Sequence, residues 1–504
     1  MKKLLLIVAC FLLVACSAQP STSGNTSTPE AQTPSNKVVV GISQDFDSLD
    51  PHKASATGTQ EVMFNIFTGL VNTLPSGEIV PELCTEYIVS DDLKTYTFTL
   101  RDDVIFHDGS KMTSKDVKYS YDRLIGKTDD QTEPLSADLS ALIASVETPD
   151  DTTVVFNLNS EDASFLSKCL NAIIPVNSGA TQATNPVGAG PYKFDSYTAG
   201  IGIKMMKNEN FYQEGLPKLE EVEFKIFADA NAGQLAMENG EIQIMSMPIA
   251  NANAMSSNFN VINAPQNMVQ LMALNHEFEP FSKVEVRQAI NYAINKEEII
   301  SALSPGSQQL DTNFSPVMEF YYNDQLKNYY PHDVEKAKEL LKSVGEENLT
   351  FTITVPSEYT LHVDTATIIQ QQLAQAGITV NIETIEWNSW LEDIYKNEKY
   401  ESTVIGFTGK IDPHPIIARY RTDYNRNFVN YSDKDFDALM VKATQTKDVN
   451  DRADLYKQAQ ENLTKNAVSV FIMDPSINVV IDKNITGYQT YPIGYIDLKN
   501  VSYQ

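Results

Sequence analysis

From residue 332 onward the sequence repeats one unit: an amphipathic helix, a stop signal and a short apolar strand. His332 to Val344 reads as a helix with Asp333 at its N-cap and Gly345 just past its end, followed by a strand from Leu349 to Val355. Thr365 to Ala376 is a second helix, stopped by Gly377, and Ile378 to Ile385 a second strand. Ser389 to Tyr395 and Thr403 to Phe407 supply a third pair, and Val286, Ile290, Ala293 and Ile294 already recur at helical spacing upstream. Short connections between alternating helices and strands predict a parallel, doubly wound sheet. Sheets of this kind bind ligands in the crevice outside the carboxyl ends of their strands, where loops expose backbone groups not used in the ladder.

Ahead of residue 280 the pattern differs. Thr95-Tyr96-Thr97-Phe98-Thr99-Leu100 alternates polar and apolar side chains, as does Thr153 to Leu158, so each predicts a strand with one buried face. Asp108-Gly109 marks a turn, and Thr113 with Asp116 forms a capping pair opening a helix with Val117, Tyr121 and Leu124 on one face. This part reads as antiparallel sheet with inserted helices.

The first residues, MKKLLLIVACFLLVACSAQP, combine Lys2 and Lys3 with an apolar run too short to span a bilayer and small residues at a cleavage site, the pattern of an export signal. Leu13-Val14-Ala15-Cys16 resembles the bacterial lipobox, in which the cysteine thiol carries diacylglycerol after cleavage; Ile7-Val8-Ala9-Cys10 also fits, but leaves a shorter apolar region after the lysines. Residues 17–36 are small and polar with no core former, so they are expected to form a disordered tether with a reach of roughly 25 Å. No spanning helix is expected beyond the signal, so any transport across the membrane must be done by another protein.

Residues 37–504 are too many for one ordinary core and enough for two or three lobes. With 38 Lys and Arg against 66 Asp and Glu, the net charge of −28 opposes binding to nucleic acid or to anionic headgroups. Besides Cys10 and Cys16 only Cys84 and Cys169 remain, so the chain is no disulfide scaffold; two buried free thiols are preferred over a pair.

The loop leaving the strand Thr403 to Phe407 lies at a carboxyl end, and its stretch GFTGKIDPHP puts Asp412 and His414 two positions apart. A catalytic dyad, half a metal site and a cleft wall are the competing readings. The six histidines are scattered one by one, no HxxH, HxH or CxxC occurs, and a protein-held transition metal needs three or four clustered ligands. No GxSxG elbow, Walker loop or HExxH helix is present and no nucleophile stands in the loop, so neither an enzyme nor a protein-bound metal or cofactor is expected. Internal repeats and a C-terminal sorting signal, the marks of an adhesion or cell-wall protein, are not found.

Five stretches together are similar to the solute-binding protein family 5 of ABC importers, which includes peptide and nickel-chelate binders. They are QDFDSLDPHKASATGTQEVMFNIFTGL at 44–70, SDDLKTYTFTLRDDVIFHDGSKMTSKDVKYSYDRL at 90–124, Asn185 to Phe194 (NPVGAGPYKF), VRQAINYAINKEEI at 286–299 and DVEKAKELLKSVG at 333–345. The resemblance implies an α/β fold of two lobes of the periplasmic-binding-protein type, joined by paired crossovers, with an extra subdomain inserted in the first lobe. The expected division is a signal peptide at 1–16, a tether at 17–36, the first lobe at 37–80 and 188–267 with the insertion at 81–187, the second lobe at 268–477, and a return to the first at 478–504. It also implies a monomer outside the cell membrane (in the periplasm if the host has an outer membrane), held by lipid on Cys16 and delivering a peptide to an ABC permease and its ATPase subunits; a metal–chelator ligand is the alternative.

In peptide-binding members an extended ligand pairs with the backbone just after the LDPH motif and at the end of the strand after the EW motif. Here those segments are Ala54-Ser55-Ala56 and Gly406-Phe407-Thr408-Gly409. Main-chain pairing of this kind accepts any peptide backbone and leaves specificity to side-chain pockets. Phe407 stands where many members carry tryptophan, and Trp387 matches another pocket residue; ordinary core is the competing role for both. One departure matters: peptide binders carry an aspartate for the ligand's ammonium three residues after that tryptophan, and here Lys410 stands there. Lys410 suits an anionic group instead. Asp412 either takes the ammonium or caps the next helix, and Asp412-Pro413-His414 resembles the DPH triplet of nickel-chelate binders, although a surface or hydrogen-bonded role suits His414 better.

Overall fold

The alternating stretches fold as strands with one buried face. Thr95–Leu100 buries Tyr96, Phe98 and Leu100, and Thr153–Leu158 buries Val154, Phe156 and Leu158. In the computed structural model, which describes residues 36–227, 229–424 and 426–504, these two are the inner strands of a four-stranded antiparallel sheet completed by Cys84–Val89 and Ile143–Asp150. Helix Ser114–Leu124 packs Val117, Tyr121 and Leu124 into the same core, and the Asp116 carboxylate accepts the Thr113 backbone N–H at 2.8 Å, closing its N-terminus. Cys84 and Cys169 are free and buried in that core. The expected signal peptide, Cys10, Cys16 and the tether up to residue 35 lie outside the described residues.

This module interrupts a larger seven-stranded sheet in the order Phe259–Pro265, Ser476–Asp482, Ile244–Met247, Lys37–Ile42, Glu221–Ile226, Gly202–Lys207, Tyr192–Thr198. Lys37–Ile42 runs parallel to both of its neighbours and is covered on both faces: Val38 and Val40 enter one core, Val39 another.

The six-stranded sheet of the second lobe is ordered Gln308–Gln309, Ser469–Asp474, Met268–Leu274, Ser402–Thr408, Thr350–Pro356, Thr379–Ile385. Helix Val334–Ser343 is capped by the Asp333 side chain, which accepts the Lys336 N–H at 2.9 Å, and Gly345 and Gly377 end their helices at φ +76° and +85°, a left-handed backbone that favours glycine. Helix Thr360–Gln375 starts at Thr360 rather than Thr365, and the third helical piece is a short turn, Trp387–Ser389, running into a π-helical segment, Trp390–Lys396.

The sheet is mixed rather than parallel and doubly wound. Thr350–Pro356 runs parallel to Thr379–Ile385 and meets Ser402–Thr408 in parallel at one pair, Ile353 with Ser402, but Met268–Leu274 is antiparallel to both of its neighbours. The reason lies in the connections. Met268–Leu274 follows Phe259–Pro265 directly and Ser469–Asp474 leads directly into Ser476–Asp482, so one strand enters from the other sheet and one leaves for it, and Met268–Leu274 owes its direction to no preceding helix. Buried Asp474 ties the crossovers together: Oδ1 accepts the N–H of Gln266 at 3.0 Å and of Met268 at 3.1 Å, and Oδ2 accepts the Ser315 hydroxyl at 2.5 Å. Among the described residues no helix is long and apolar enough to cross a membrane.

Candidate binding cleft between the lobes

The segment after Leu49-Asp50-Pro51-His52 is fixed by charge. Arg123 donates to Asp50 Oδ1 at 3.0 Å and to Oδ2 at 2.5 Å, both side chains being fully buried. Because a guanidinium only donates, its 3.0 Å contact with His52 Nδ1 makes that nitrogen an acceptor and leaves His52 Nε2–H to donate to the Ala172 carbonyl at 2.8 Å. Desolvation, joined by the Arg123 charge, pushes His52 down to about 4, so the ring is neutral at pH 7. One turn on, Asp47 Oδ2 accepts the Ser55 N–H at 2.7 Å, the Ser55 hydroxyl at 2.8 Å and the Ala56 N–H at 3.0 Å. Desolvation raises the Asp47 carboxyl, but these bonds and one from Thr59 outweigh it and hold the group well below the usual range. All three N–H groups of Ala54-Ser55-Ala56 are therefore engaged by the protein itself, that of Ala54 by the Asp50 carbonyl at 2.9 Å.

A cavity of about 380 Å³ opens beside this segment, lined from the first lobe by Pro51, Ala54, Met63, Phe64 and Phe67 among others, and from the second lobe by Lys410. It brings together two of the residues singled out in the sequence, Ala54 and Lys410. Lys410 is exposed at its rim. Among the described residues no carboxylate lies within ion-pair distance of it. Surrounding protein displaces enough water to lower its pKa, and the positive charge of Arg419 lowers it further.

Gly406 and Gly409 are demanded by the protein's own packing. A Cβ at Gly406 would meet Met268 Sδ at 2.7 Å, and one at Gly409 would meet Asn267 Cγ at 2.3 Å. The Gly409 N–H donates to the Asn267 carbonyl at 2.5 Å, so the cleft loop rests on the crossover itself. Thr408 ends the strand, exposed. Phe407 is half-buried, 5.4 Å from the Phe428 ring and 6.1 Å from Tyr395, with the Arg419 guanidinium carbon 4.3 Å from its centre. Trp387 is likewise half-buried, stacked on Trp390 at 5.2 Å and edge-on to Tyr359 at 5.0 Å. Neither ring lines the 380 Å³ cavity.

Asp412, 4 % exposed, is engaged twice: Oδ1 accepts the His414 N–H at 2.8 Å, capping the helical turn His414–Ile417, and Oδ2 lies 3.7 Å from Arg452 Nη2. Arg452 also donates to the Ala163 carbonyl, joining the second lobe to the inserted module. Around Asp412 and Arg452 opens a second cavity of about 850 Å³, walled by Ile79, Tyr87, Tyr96, Phe320 and Ile411 among others. His414 Nδ1 is buried without a partner, and burial lowers the pKa of the ring. Among the described residues no three His, Cys, Asp or Glu side chains converge as a metal site.

Sequence reasoning missed Arg419 and Glu61. Arg419 belongs to no motif, and only the 3₁₀ turn Ala418–Tyr420 folds it back over Phe407. Glu61, on helix Thr57–Met63, has no ion pair among the described residues, and desolvation pushes its carboxyl up to about 7.

Two α/β sheets exchanging strands through adjacent crossovers, with a cavity whose lining comes from both lobes, define a binding protein that encloses a small solute. Residues 78–428, more than half of the chain, match the profile of the bacterial extracellular solute-binding proteins, family 5 middle. The chain is 28% identical over 478 residues to the glutathione-binding protein GsiB of Salmonella typhi, covering 90% of this chain and 92% of that one. Among solved structures, DppA of Helicobacter pylori in complex with peptide STSA superimposes with a TM-score of 0.75 at 28% identity, covering 93% and 98% of the two chains. The substrate-binding protein CtaP of Listeria monocytogenes does so with 0.82 at 26%, covering 94% and 100%. The chain belongs to the extracellular solute-binding protein family 5: it is an extracytoplasmic binding component of an ABC transporter and not an enzyme.

Proposed function

We propose that the protein captures peptides between its lobes and hands them to an ABC permease and its ATPase subunits, working as a monomer held at the outer face of the cell membrane by lipid on Cys16. The observation that carries the peptide reading is the cavity of about 380 Å³ lined by Ala54 and Lys410, within the size range of small-ligand pockets. Two relatives support it, GsiB by its glutathione-binding description and DppA by its bound peptide STSA. Closure of the lobes buries the ligand, and the crossovers tied by Asp474 are the hinge about which they turn.

The test is thermal. Only a ligand that prefers the native state raises its melting point, so a mixed di- and tripeptide library should raise it and nickel with free histidine should not. The reverse result would replace the peptide with a metal chelate. For the anchor, Cys16→Ser should release the protein from the membrane fraction with its ligand affinity unchanged; a membrane-bound Cys16→Ser protein would overturn the lipid assignment.

A further inference from the structure

The cavity of about 850 Å³ adjoins the one of about 380 Å³. Consecutive residues line different spaces: Lys410 faces the smaller and Ile411 the larger, Ser167 the smaller and Leu166 the larger. The hairpin of Val71–Thr73 and Ile79–Pro81 likewise gives Val71 and Asn72 to the smaller cavity and Ile79 to the larger. Three stretches of wall are therefore shared. The larger cavity lies between the inserted module, which supplies Tyr87, Leu93 and Tyr96, and the second lobe, which supplies Met318, Phe320 and Val449. These two bodies are tied beside it: the Ala163 N–H donates to the Thr444 carbonyl at 3.1 Å, Arg452 donates to the Ala163 carbonyl, and Lys447 lies 2.8 Å from Asp91.

The walls of the larger cavity suit an uncharged, apolar group. Leu93, Tyr96, Met318 and Ile411 are buried there, and Ile79 and Leu166 are half-buried. Most polar groups beside them are already engaged by the protein: the Tyr96 hydroxyl donates to the Asp162 carbonyl at 2.7 Å, and Asp412 faces Arg452 at 3.7 Å. At the mouth Phe320 and Val449 are 47 % and 45 % exposed, apolar surface that a ligand gains by covering. An anionic amphiphile fits poorly, because Glu78 and Glu319 stand exposed at the same mouth and the charge of Lys447 is taken by Asp91. The volume is within the range of small-ligand pockets. We infer that the larger cavity receives aliphatic or aromatic residues of the peptide held in the smaller one, so that the inserted module and the second lobe together select the solute by its apolar bulk. This rests on the peptide reading and narrows it: the solute is a peptide long enough to occupy both cavities, with at least one bulky apolar side chain.

The experiment measures by calorimetry two sets of tetrapeptides, one bearing a leucine or phenylalanine and one built of glycine, alanine and serine, on the wild-type protein and on Ile79→Trp and Val449→Asp. Ile79→Trp fills the cavity from its wall, and Val449→Asp puts a charge at an exposed point of its mouth. The expected result is a preference of roughly tenfold or more for the apolar set, reduced at least about threefold in each variant while apo melting points stay close to wild type. Should Ile79→Trp fail to fold, Val449→Asp decides alone. Equal affinity for the two sets, or a preference that survives in the folded variants, overturns the subsite and leaves the peptide reading intact. Decanoate binding that is lost in the variants yet leaves peptide affinity unchanged overturns it too, by giving the cavity to a separate anionic molecule. If neither set binds, the peptide reading fails instead, and indole, a neutral aromatic probe, decides the cavity. A saturable rise in melting point that the variants lose sustains an apolar subsite, and no rise, or one that persists in them, overturns it.

Discussion

Arg123 and Arg419 carry the same group in opposite settings. Arg123 is 1 % exposed, makes two hydrogen bonds to Asp50, and locks the loop after His52 to the inserted module. Arg419 is half-exposed, lies on an aromatic ring and meets no acceptor among the described residues. A buried charge that the fold itself requires comes with its counter-charge, because desolvation is otherwise unaffordable. A half-exposed charge with no counter-charge is one the fold does not pair for its own stability. Asp474 stands between the two: fully buried and given three hydrogen-bond donors, but no cation.

The contrast predicts a graded set of effects. Arg123→Met leaves Asp50 buried and unpaired and should cost the apo protein about 3–5 kcal/mol in urea unfolding, whereas Arg419→Gln should leave that midpoint nearly unchanged. Comparable losses in both would erase the distinction.

Next in size is Asp474. Burial raises its carboxyl from 3.8 to about 6 against the pull of its hydrogen bonds. Since the folded-state pKa lies above the unfolded one, the protonated acid stabilises the fold; that contribution is complete below about pH 4 and is lost as pH rises through about 6. Asp474→Asn keeps an oxygen for the Gln266 and Met268 N–H groups and cannot ionise. Relative to wild type it should gain about 2–3 kcal/mol between pH 4 and pH 8, read as the difference between the two stability–pH curves; a flat difference would refute the assignment.

The smallest of the expected stability losses belongs to Asp412. Removing its carboxylate in Asp412→Ala takes away a cap and the Arg452 contact, so the apo protein should lose about 1–2 kcal/mol while its affinity for the peptide library hardly moves. A large loss of affinity with intact stability would return Asp412 to the role of ammonium partner.

Local features of this molecule are legible in its sequence because their causes are local. The alternation at 95–100, the Asp333 cap and the stops at Gly345 and Gly377 each depend on neighbours a few residues away. The direction of Met268–Leu274 is not legible, since it follows from a crossover between sheets rather than from a helix. Nor is Asp474, whose partners Gln266 and Met268 lie 208 and 206 positions away. At the cleft, Lys410 could be singled out because it departs from a family pattern, while Arg419 acquires meaning only when a turn lays it on Phe407.

The central claim, that this receptor encloses a peptide, is tested most directly by native mass spectrometry of the protein purified from its host under mild conditions, followed by denaturation to release whatever it carries. The account predicts an excess mass that resolves on release into one or more short peptides with free carboxyl termini. Release of a nickel chelate, or of a small molecule with no peptide bond, would contradict it.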